Sequence, residues 1–360
     1  MAQVFETERL KRFAIAVLTT YGFDAGDCAQ IANSLIDADL RGIASHGMQR
    51  LGMYVRKLDH GDIIPGKHGA ILQETPSSAL IDGEHGMGQL IANRATQLAI
   101  SKAKQTGISV VSVRNSNHFG AAGYYVRQMS QAGLLGVSMT NTNPLTVPTH
   151  AKDAFLGSNP IAFAMPTASD DFVFDAATST VSFGKFEVLM QRNQKVPGDW
   201  AIDETGRVTH DPNQLVSNKQ RTPRLGGVLP LGGLDEMNAG YKGYGLSLLV
   251  EILTGVISQG PLSADMGKGE RGISHFFLAL DPKLFGDPIA IEARLTTLLN
   301  RLRHLPPLVT DEPVLVPGDP EIESYRRHQT TGITLEKETI TVLQKLADRF
   351  QLNTQQEFKF

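Results

Sequence analysis

The chain has 360 residues with a net charge of −3, 41% hydrophobic and 20% charged side chains, an ordinary globular composition with enough apolar material for two or three folded bodies. No basic block stands out, so nucleic-acid binding has no electrostatic footprint, and an anionic ligand must be held by a few placed cations. The single cysteine, Cys28, excludes an internal disulfide. The opening segment lacks the shape of a secretory signal, and no apolar run approaches the roughly 20 residues that span a bilayer. Together these predict a cytoplasmic protein with no membrane partner.

Phe5, Leu10, Phe13, Ala14, Val17 and Leu18 recur at helical spacing, so a helix is predicted over 5–22, with Gly22 as its stop. Asp24 or Asp27 caps a second helix that runs to about Arg41, and Gly42 ends it. A polar turn over Ala44–Gly47 separates it from a third helix, Met48 to Leu58. Cys28 sits on the second helix and reads as a packed thiol. From about residue 68 the pattern changes. A short strand at 79–81, a helix over 89–105, a β-branched strand over 108–113, a helix near 121–132 and a strand over 135–140 alternate as in an α/β domain. Further strands are predicted at 155–166, 172–175 and 276–280, with a strand pair around a turn at 199–207. A glycine-rich loop spans 226–240. Helices are predicted over 244–257, 288–303 and 335–350, the last returning to the N-terminal helices.

Glycine is frequent, 35 residues, and clusters beside polar residues without forming a low-complexity run. The usual dinucleotide signature is missing: Gly83-Glu-His-Gly86-Met-Gly88 has the wrong spacing and follows a turn. Signatures of zinc proteases, zinc ribbons, P-loops and α/β-hydrolases are also missing, and no metal site is expected.

Four segments carry chemistry. In Ser45-His46-Gly47 the imidazole lies just past a helix end, where it can meet a ligand. Arg50 and Tyr54, four apart, share a helix face and could bind a carboxylate. In Asn115-Ser-Asn117-His118-Phe-Gly120 the histidine follows a strand at its carboxyl end, the usual ligand edge of an α/β sheet. Asp175 ends a strand ahead of Thr178, Ser179 and Thr180; a carboxylate there could orient either histidine, and the hydroxyls suit phosphate oxygens. Lys242 lies in Gly240-Tyr-Lys-Gly-Tyr-Gly245 at the start of an apolar helix, an anion site by the helix dipole. Taken singly, each has a plain structural reading as a cap, a turn or a surface ion pair.

Taken together, RGIASHGMQRLGMY, NSNHFGAAGYY, GSNPIAFAMP, FDAATSTVSFGK, DWAIDETGRVTHDP, GYKGYGLSLLVEILTGVISQG and VPGDPEIESYRR resemble, in order and from about residue 8 onward, the malate/L-lactate dehydrogenase family whose fold is not Rossmann. Ureidoglycolate, sulfolactate and diketogulonate oxidoreductases and a cyclic imino acid reductase belong to the same group. The resemblance implies an α/β protein with a non-Rossmann nicotinamide-binding domain over 71–299 and a helical domain formed by both termini, 1–70 plus 300–360. It implies a homodimer with the active site near the subunit interface. It implies NAD or NADP as cofactor and a small anionic 2-hydroxy or 2-oxo acid, malate or L-lactate, as substrate. By the same resemblance His46, assisted by Asp175, is the acid/base, or else His118 is. Ser45, Arg50 and Tyr54 bind substrate. Thr140, Asn141, Asp175, Thr178, Ser179, Thr180, Leu229, Pro230, Lys242, Pro317, Gly318 and Asp319 bind cofactor. The stretch Glu187–Lys195 departs from relatives, which carry small and basic residues there, so NAD and NADP stay open. Reduction of a cyclic imine is the alternative reaction, and a non-catalytic metabolite-binding protein the alternative class.

Overall fold

Apolar residues spaced at the helical period build the first third of the chain. In the computed structural model, which describes residues 2–218, 224–266, 271–354, 358 and 360, β1 (Gln3–Phe5) leads into α1 (Thr7–Thr19) and α2 (Ala25–Leu40), the latter capped by Asp24, whose side chain accepts from the Asp27 amide. Tight 3-10 turns over Ala44–His46 and Met48–Arg50 precede α3 (Leu51–Asp59). Next come β2 (Ala70–Glu74), β3 (Ser78–Asp82), α4 (Gly88–Thr106), β4 (Ile108–Ser116), α5 (Gly123–Gln131), β5 (Leu135–Thr140), β6 (Ile161–Met165) and β7 (Phe172–Ala176). The chain continues through α6 (Phe183–Gln191), β8 (Ala201–Ile202), α7 (Pro212–Asn218), β9 (Gly227–Val228) and α8 (Gly240–Glu251), extended by a π-helical turn over Ile252–Val256. β10 (Ile273–Leu280), α9 (Pro288–Arg303), α10 (Asp319–Thr331), β11 (Ile333–Leu335) and α11 (Lys337–Arg349) complete it.

Seven strands form one mixed sheet in the order β2-β3-β4-β10-β5-β6-β7. Only β3 and β4 run parallel, joined through α4; β10 enters late in the chain and pairs antiparallel with both β4 and β5. One face is covered by α4 and α5 through Ile91, Ala95, Ala99, Tyr125 and Met129 against Val111, Val113 and Phe277. Val250 of α8 packs the other face against Met139 and Phe276. A second apolar cluster joins both chain ends: Phe13, Val17, Ile31, Leu35 and Leu51 pack with Ile340, Leu343 and Leu346, and β1 pairs with β11. Cys28 is buried there as a free thiol. No helix among the described residues is long and apolar enough to cross a membrane.

The structure differs from the sequence-based expectations in local detail. The strand predicted over 155–166 pairs only from Ile161, because Asn159 takes a φ of +37° and Pro160 has no N–H to donate. The strand pair predicted at 199–207 closes around its turn, with the Asp203 amide donating to Arg207, the Thr209 amide to Ala201 and a bridge from Ile202 to Val208, and Ala201 and Ile202 pair in addition with Val228 and Gly227. The segment before β11 forms a helix, α10, started by Asp319 and Pro320, residues that favour a first turn. The apolar helix begins at Gly240, four residues earlier than expected.

Phe277 lies at the centre of the sheet and is fully buried. Phe277→Ala is expected to lower unfolding free energy by about 3–5 kcal/mol, read by urea denaturation at fixed protein concentration.

Candidate active site

The turn that carries His46 is docked on a buried carboxylate. Gly42, at φ +77°, ends α2, and a Cβ there would meet the Ser324 hydroxyl at 2.8 Å. The Met48 amide donates to Asp39 Oδ2 at 2.7 Å, and a Cβ on Gly47 would lie 2.0 Å from Asp39 Oδ1. The Asp39 side chain occupies the space a Cβ at 47 would need, so any larger residue there must displace it. Burial without a cation pushes the Asp39 carboxyl up to about 7, opposed only by the Met48 amide.

His118 arrives from the sheet. It follows the end of β4, next to Asn117, whose side-chain amide donates to the carbonyls of Asp62, His85 and Gly86 at 3.0, 3.1 and 3.1 Å. Lys57 Nζ donates to Asn117 Oδ1 at 3.1 Å. Phe119 stacks on His275 of β10 with centroids 4.5 Å apart, and His275 Nδ1 lies 2.8 Å from the Thr140 hydroxyl. The rings of His46 and His118 then lie nearly parallel, 5.5 Å between centroids and 15° between planes. The structure thus brings the two candidate histidines side by side.

Tyr54 OH lies 2.8 Å from His118 Nδ1, and the Gly120 amide points at the same nitrogen from 3.3 Å. An amide can only donate, so Nδ1 acts as acceptor and Nε2 carries the hydrogen. His46 Nδ1 is 2.9 Å from the Ser45 hydroxyl. Arg50 Nε donates to the Ser45 carbonyl, and an Arg50 terminal nitrogen lies 3.8 Å from Glu187 of α6. Burial lowers His46 to about 4, with the Arg50 charge adding to it. Burial also holds His118 well below the usual histidine range, with His46, Arg50, Lys57 and His275 acting the same way. Tyr54 is fully buried and its phenol is raised by that burial. Lys57 is lowered by burial and partly restored by Asp62.

Asp175 ends β7. Its side chain is open to solvent by area yet surrounded by protein, the condition of a group on a cleft wall, and that desolvation raises its carboxyl. It accepts from the Gly123 amide at 2.7 Å and feels buried Arg127. Among the described residues no carboxylate forms a hydrogen bond with either His46 or His118. Thr178, Ser179 and Thr180 form one patch with Leu229–Leu231: the Thr180 amide donates to Leu229, the Leu231 amide to Thr178, and Ser179 bridges Pro230. Their three hydroxyls donate to backbone carbonyls. Gly243 of α8 abuts Leu231, which puts exposed Lys242 beside this patch. Gly184 of α6 lies against Ser45 and Arg50 and links the patch to the histidines.

Thr140 and Asn141 are buried. The Asn141 amide nitrogen donates to Pro261 O at 3.0 Å and its oxygen accepts from the Ser274 amide at 2.9 Å, so its polar atoms are engaged inside the fold. Gly318 packs on the backbone of Val173, exposed Pro317 beside it, while both Asp319 oxygens bind Arg303 at 2.9 and 2.6 Å. Lys57, Asp39 and His275 were not singled out from sequence. Lys57 was within reach, because it continues the 50, 54, 57 series on one helical face. Glu251 was too, as the lone charge in LSLLVEILTGV; it accepts from Asn159, from the Ser263 amide and from the Ser263 hydroxyl at 2.8, 2.7 and 2.7 Å.

The profile of the malate/L-lactate dehydrogenase family matches residues 5–344. The chain belongs to that family. It is 38% identical over 345 residues to a malate dehydrogenase of Pyrococcus abyssi, covering 95% of this chain and 93% of that one. It is 32% identical to an L-sulfolactate dehydrogenase of Methanocaldococcus jannaschii, covering 97% and 98%. The crystal structure of a malate dehydrogenase from Entamoeba histolytica superposes with a TM-score of 0.93 at 30% identity, covering 98% and 99%. This chain is thus a member of a hydroxy-acid dehydrogenase family with the mixed-sheet fold described above. The residues present fit an extended anionic dinucleotide: Lys242 is exposed at a helix start, and Gly120 and Gly245 have no atom within 4 Å of where a Cβ would point.

The raised Asp39 carboxyl binds more protons in the folded than in the unfolded chain between pH 4 and 7, so its contribution falls as pH rises through that window and is least favourable above about 7. Asp39→Asn keeps an acceptor for Met48 and removes the ionisation. The variant is expected to lose less Tm than the parent between pH 5 and pH 8, read by calorimetry.

Proposed function

We propose that the protein reduces a small 2-oxo acid to its 2-hydroxy acid, and runs the reverse oxidation, with NADH or NADPH. Malate and oxaloacetate are the first pair to try, given the relatives' names. The observation that carries this reading is the pair of parallel imidazoles beside Arg50, at the seam between the body of both chain ends and the sheet. The helical body, 1–70 with 300–360, is read as the substrate side and residues 71–299 as the cofactor side.

Arg50 binds the substrate carboxylate and sets which face of its carbonyl is presented. His46 donates a hydrogen bond from its outer nitrogen. His118 is the acid/base: its Nδ1 is held by Tyr54 and Gly120, which leaves Nε2 to exchange a proton with the substrate oxygen. A nicotinamide cofactor, when bound, supplies or takes the hydride. Lys242 and the 178–180 and 229–231 patch hold its anionic part, and Asp175 lies on the cleft wall between that patch and α5.

Leu246, Leu248, Leu249, Ile252, Val256 and Ile257 are each more than a third exposed along α8 and its extension, with Val250 facing the sheet. So large an apolar face marks an interface, and a second copy is the occupant proposed. Leu249→Glu together with Ile252→Glu is expected to halve the mass seen by light scattering after size exclusion; an unchanged mass removes α8 from the interface.

The test of the reaction is absorbance at 340 nm with NADH and NADPH, each against oxaloacetate, pyruvate, 3-sulfopyruvate and a cyclic imino acid. Oxidation of one cofactor by a 2-oxo acid is expected. His118→Gln is expected to lower kcat by about 10²–10⁴ with cofactor affinity unchanged. Turnover near that of the parent would remove His118 from the acid/base role.

A further inference from the structure

Arg50 is held from two sides by the protein itself. Its Nε donates to the Ser45 carbonyl at 2.5 Å, and a terminal nitrogen lies 3.8 Å from Glu187 Oε2, with each of the two side chains only 19% exposed. Glu187 stands in α6 three residues after Gly184, so the two share one face of that helix. That face is turned towards the segment bearing His46: a Cβ on Gly184 would lie 3.2 Å from Ser45 Cβ and 3.8 Å from the same Arg50 nitrogen. On its other side α6 is fastened by Phe186, fully buried with Val181, Val196 and Ala201 and set edge-on to Trp200. The missing side chain at 184 lets α6 come close, and the close approach carries the Glu187 carboxylate to the guanidinium.

A carboxylate in that place changes what Arg50 can hold. Lys57, the other cation felt by His118, is already engaged: its Nζ donates to Asn117 Oδ1 at 3.1 Å, and Asp62 lies against its charge. Attraction for an anionic substrate therefore falls mainly to Arg50, and Glu187 cancels part of it. One substrate carboxylate in contact with the guanidinium still gains, because hydrogen bonds between the two ions add to the charge term. A second anionic group on the same small molecule is kept from that contact by the carbon chain between the two. It feels Glu187 nonetheless, since Coulomb repulsion acts without contact in a pocket largely closed to water. We infer that Glu187 is a specificity-determining residue: by sharing Arg50 with the substrate it admits one carboxylate and disfavours a second anionic group, so that the preferred substrate is a 2-oxo acid with an uncharged far end. This ranks pyruvate and 2-oxobutyrate ahead of oxaloacetate and 3-sulfopyruvate, which remain substrates at lower kcat/KM. Glu187 touches none of the reacting atoms; it acts by charge, on Arg50 and on the far end of the substrate.

The inference rests on the carboxylate-binding role proposed for Arg50, and one set of kinetics separates the two. 2-Oxobutyrate and oxaloacetate have four carbons each and differ in the second carboxylate. Their kcat/KM values are measured at neutral pH with whichever reduced nicotinamide the enzyme prefers. The parent is expected to favour 2-oxobutyrate. Glu187→Gln, alike in shape and uncharged, is expected to move the ratio about tenfold towards oxaloacetate, mainly through KM, for one charge removed at a few ångströms beyond contact. Glu187→Asp is expected to keep the parent's order, and high salt to narrow the gap between parent and Glu187→Gln. An equal change for both acids would show that Glu187 acts through packing of α6, and would overturn the inference while leaving the dehydrogenase reading standing. A parent that favours oxaloacetate would overturn it too. No turnover of any 2-oxo acid overturns both. Should Glu187→Gln fail to fold, Glu187→Met, of similar length and uncharged, takes its place.

Discussion

Two imidazoles 5.5 Å apart in a pocket walled by cations are costly to assemble, and the rest of the structure holds them there. The two histidines come from distant segments of the chain. His46 rides on a turn whose shape is set by a buried aspartate and a glycine with no room for a side chain. His118 is set by the end of β4 and by the side chain of Asn117, which clamps three carbonyls at once. Burial and like charge both favour the neutral ring.

That constraint accounts for several features with no evident purpose taken singly. Both chain ends return to one apolar cluster, so the turn bearing His46 is anchored by helices from each terminus rather than by a loop. β10 enters the sheet late, between β4 and β5, and brings His275 against Phe119, the residue after His118. Glu251 gathers Asn159 and the segment at Ser263 onto α8, on the sheet face opposite α4 and α5. The segments around 178–180 and 229–231 meet by backbone bridges, with the start of α8 against Leu231.

Much of this was legible in the sequence where the signal is local. The apolar periods of α1, α2, α4, α5 and α11 fall where the helical spacing puts them, and α2 is bounded by Asp24 and Gly42. The residues of the site were legible as types, a histidine at a helix end and another at a strand end. What was hidden depends on pairing between distant segments. Nothing near Ala201 says that its partner is Val228, and nothing near His275 says that it enters beneath Phe119. Asp39 was hidden because a buried aspartate late in a helix reads as a surface residue until the chain folds back over it. The partner of Asp175 was hidden in the same way: the family resemblance implies a histidine, whereas the carboxylate accepts from the Gly123 amide.

The claim on which the account turns is that hydride passes directly between a nicotinamide and the C2 carbon of a small acid at this seam. The most direct measurement is to run the reduction of oxaloacetate with cofactor deuterated at C4 and to locate the label in the product by NMR. The account predicts deuterium at C2 of the hydroxy acid, transferred from one face of the nicotinamide only. Label recovered in solvent, or spread over other carbons, would contradict it.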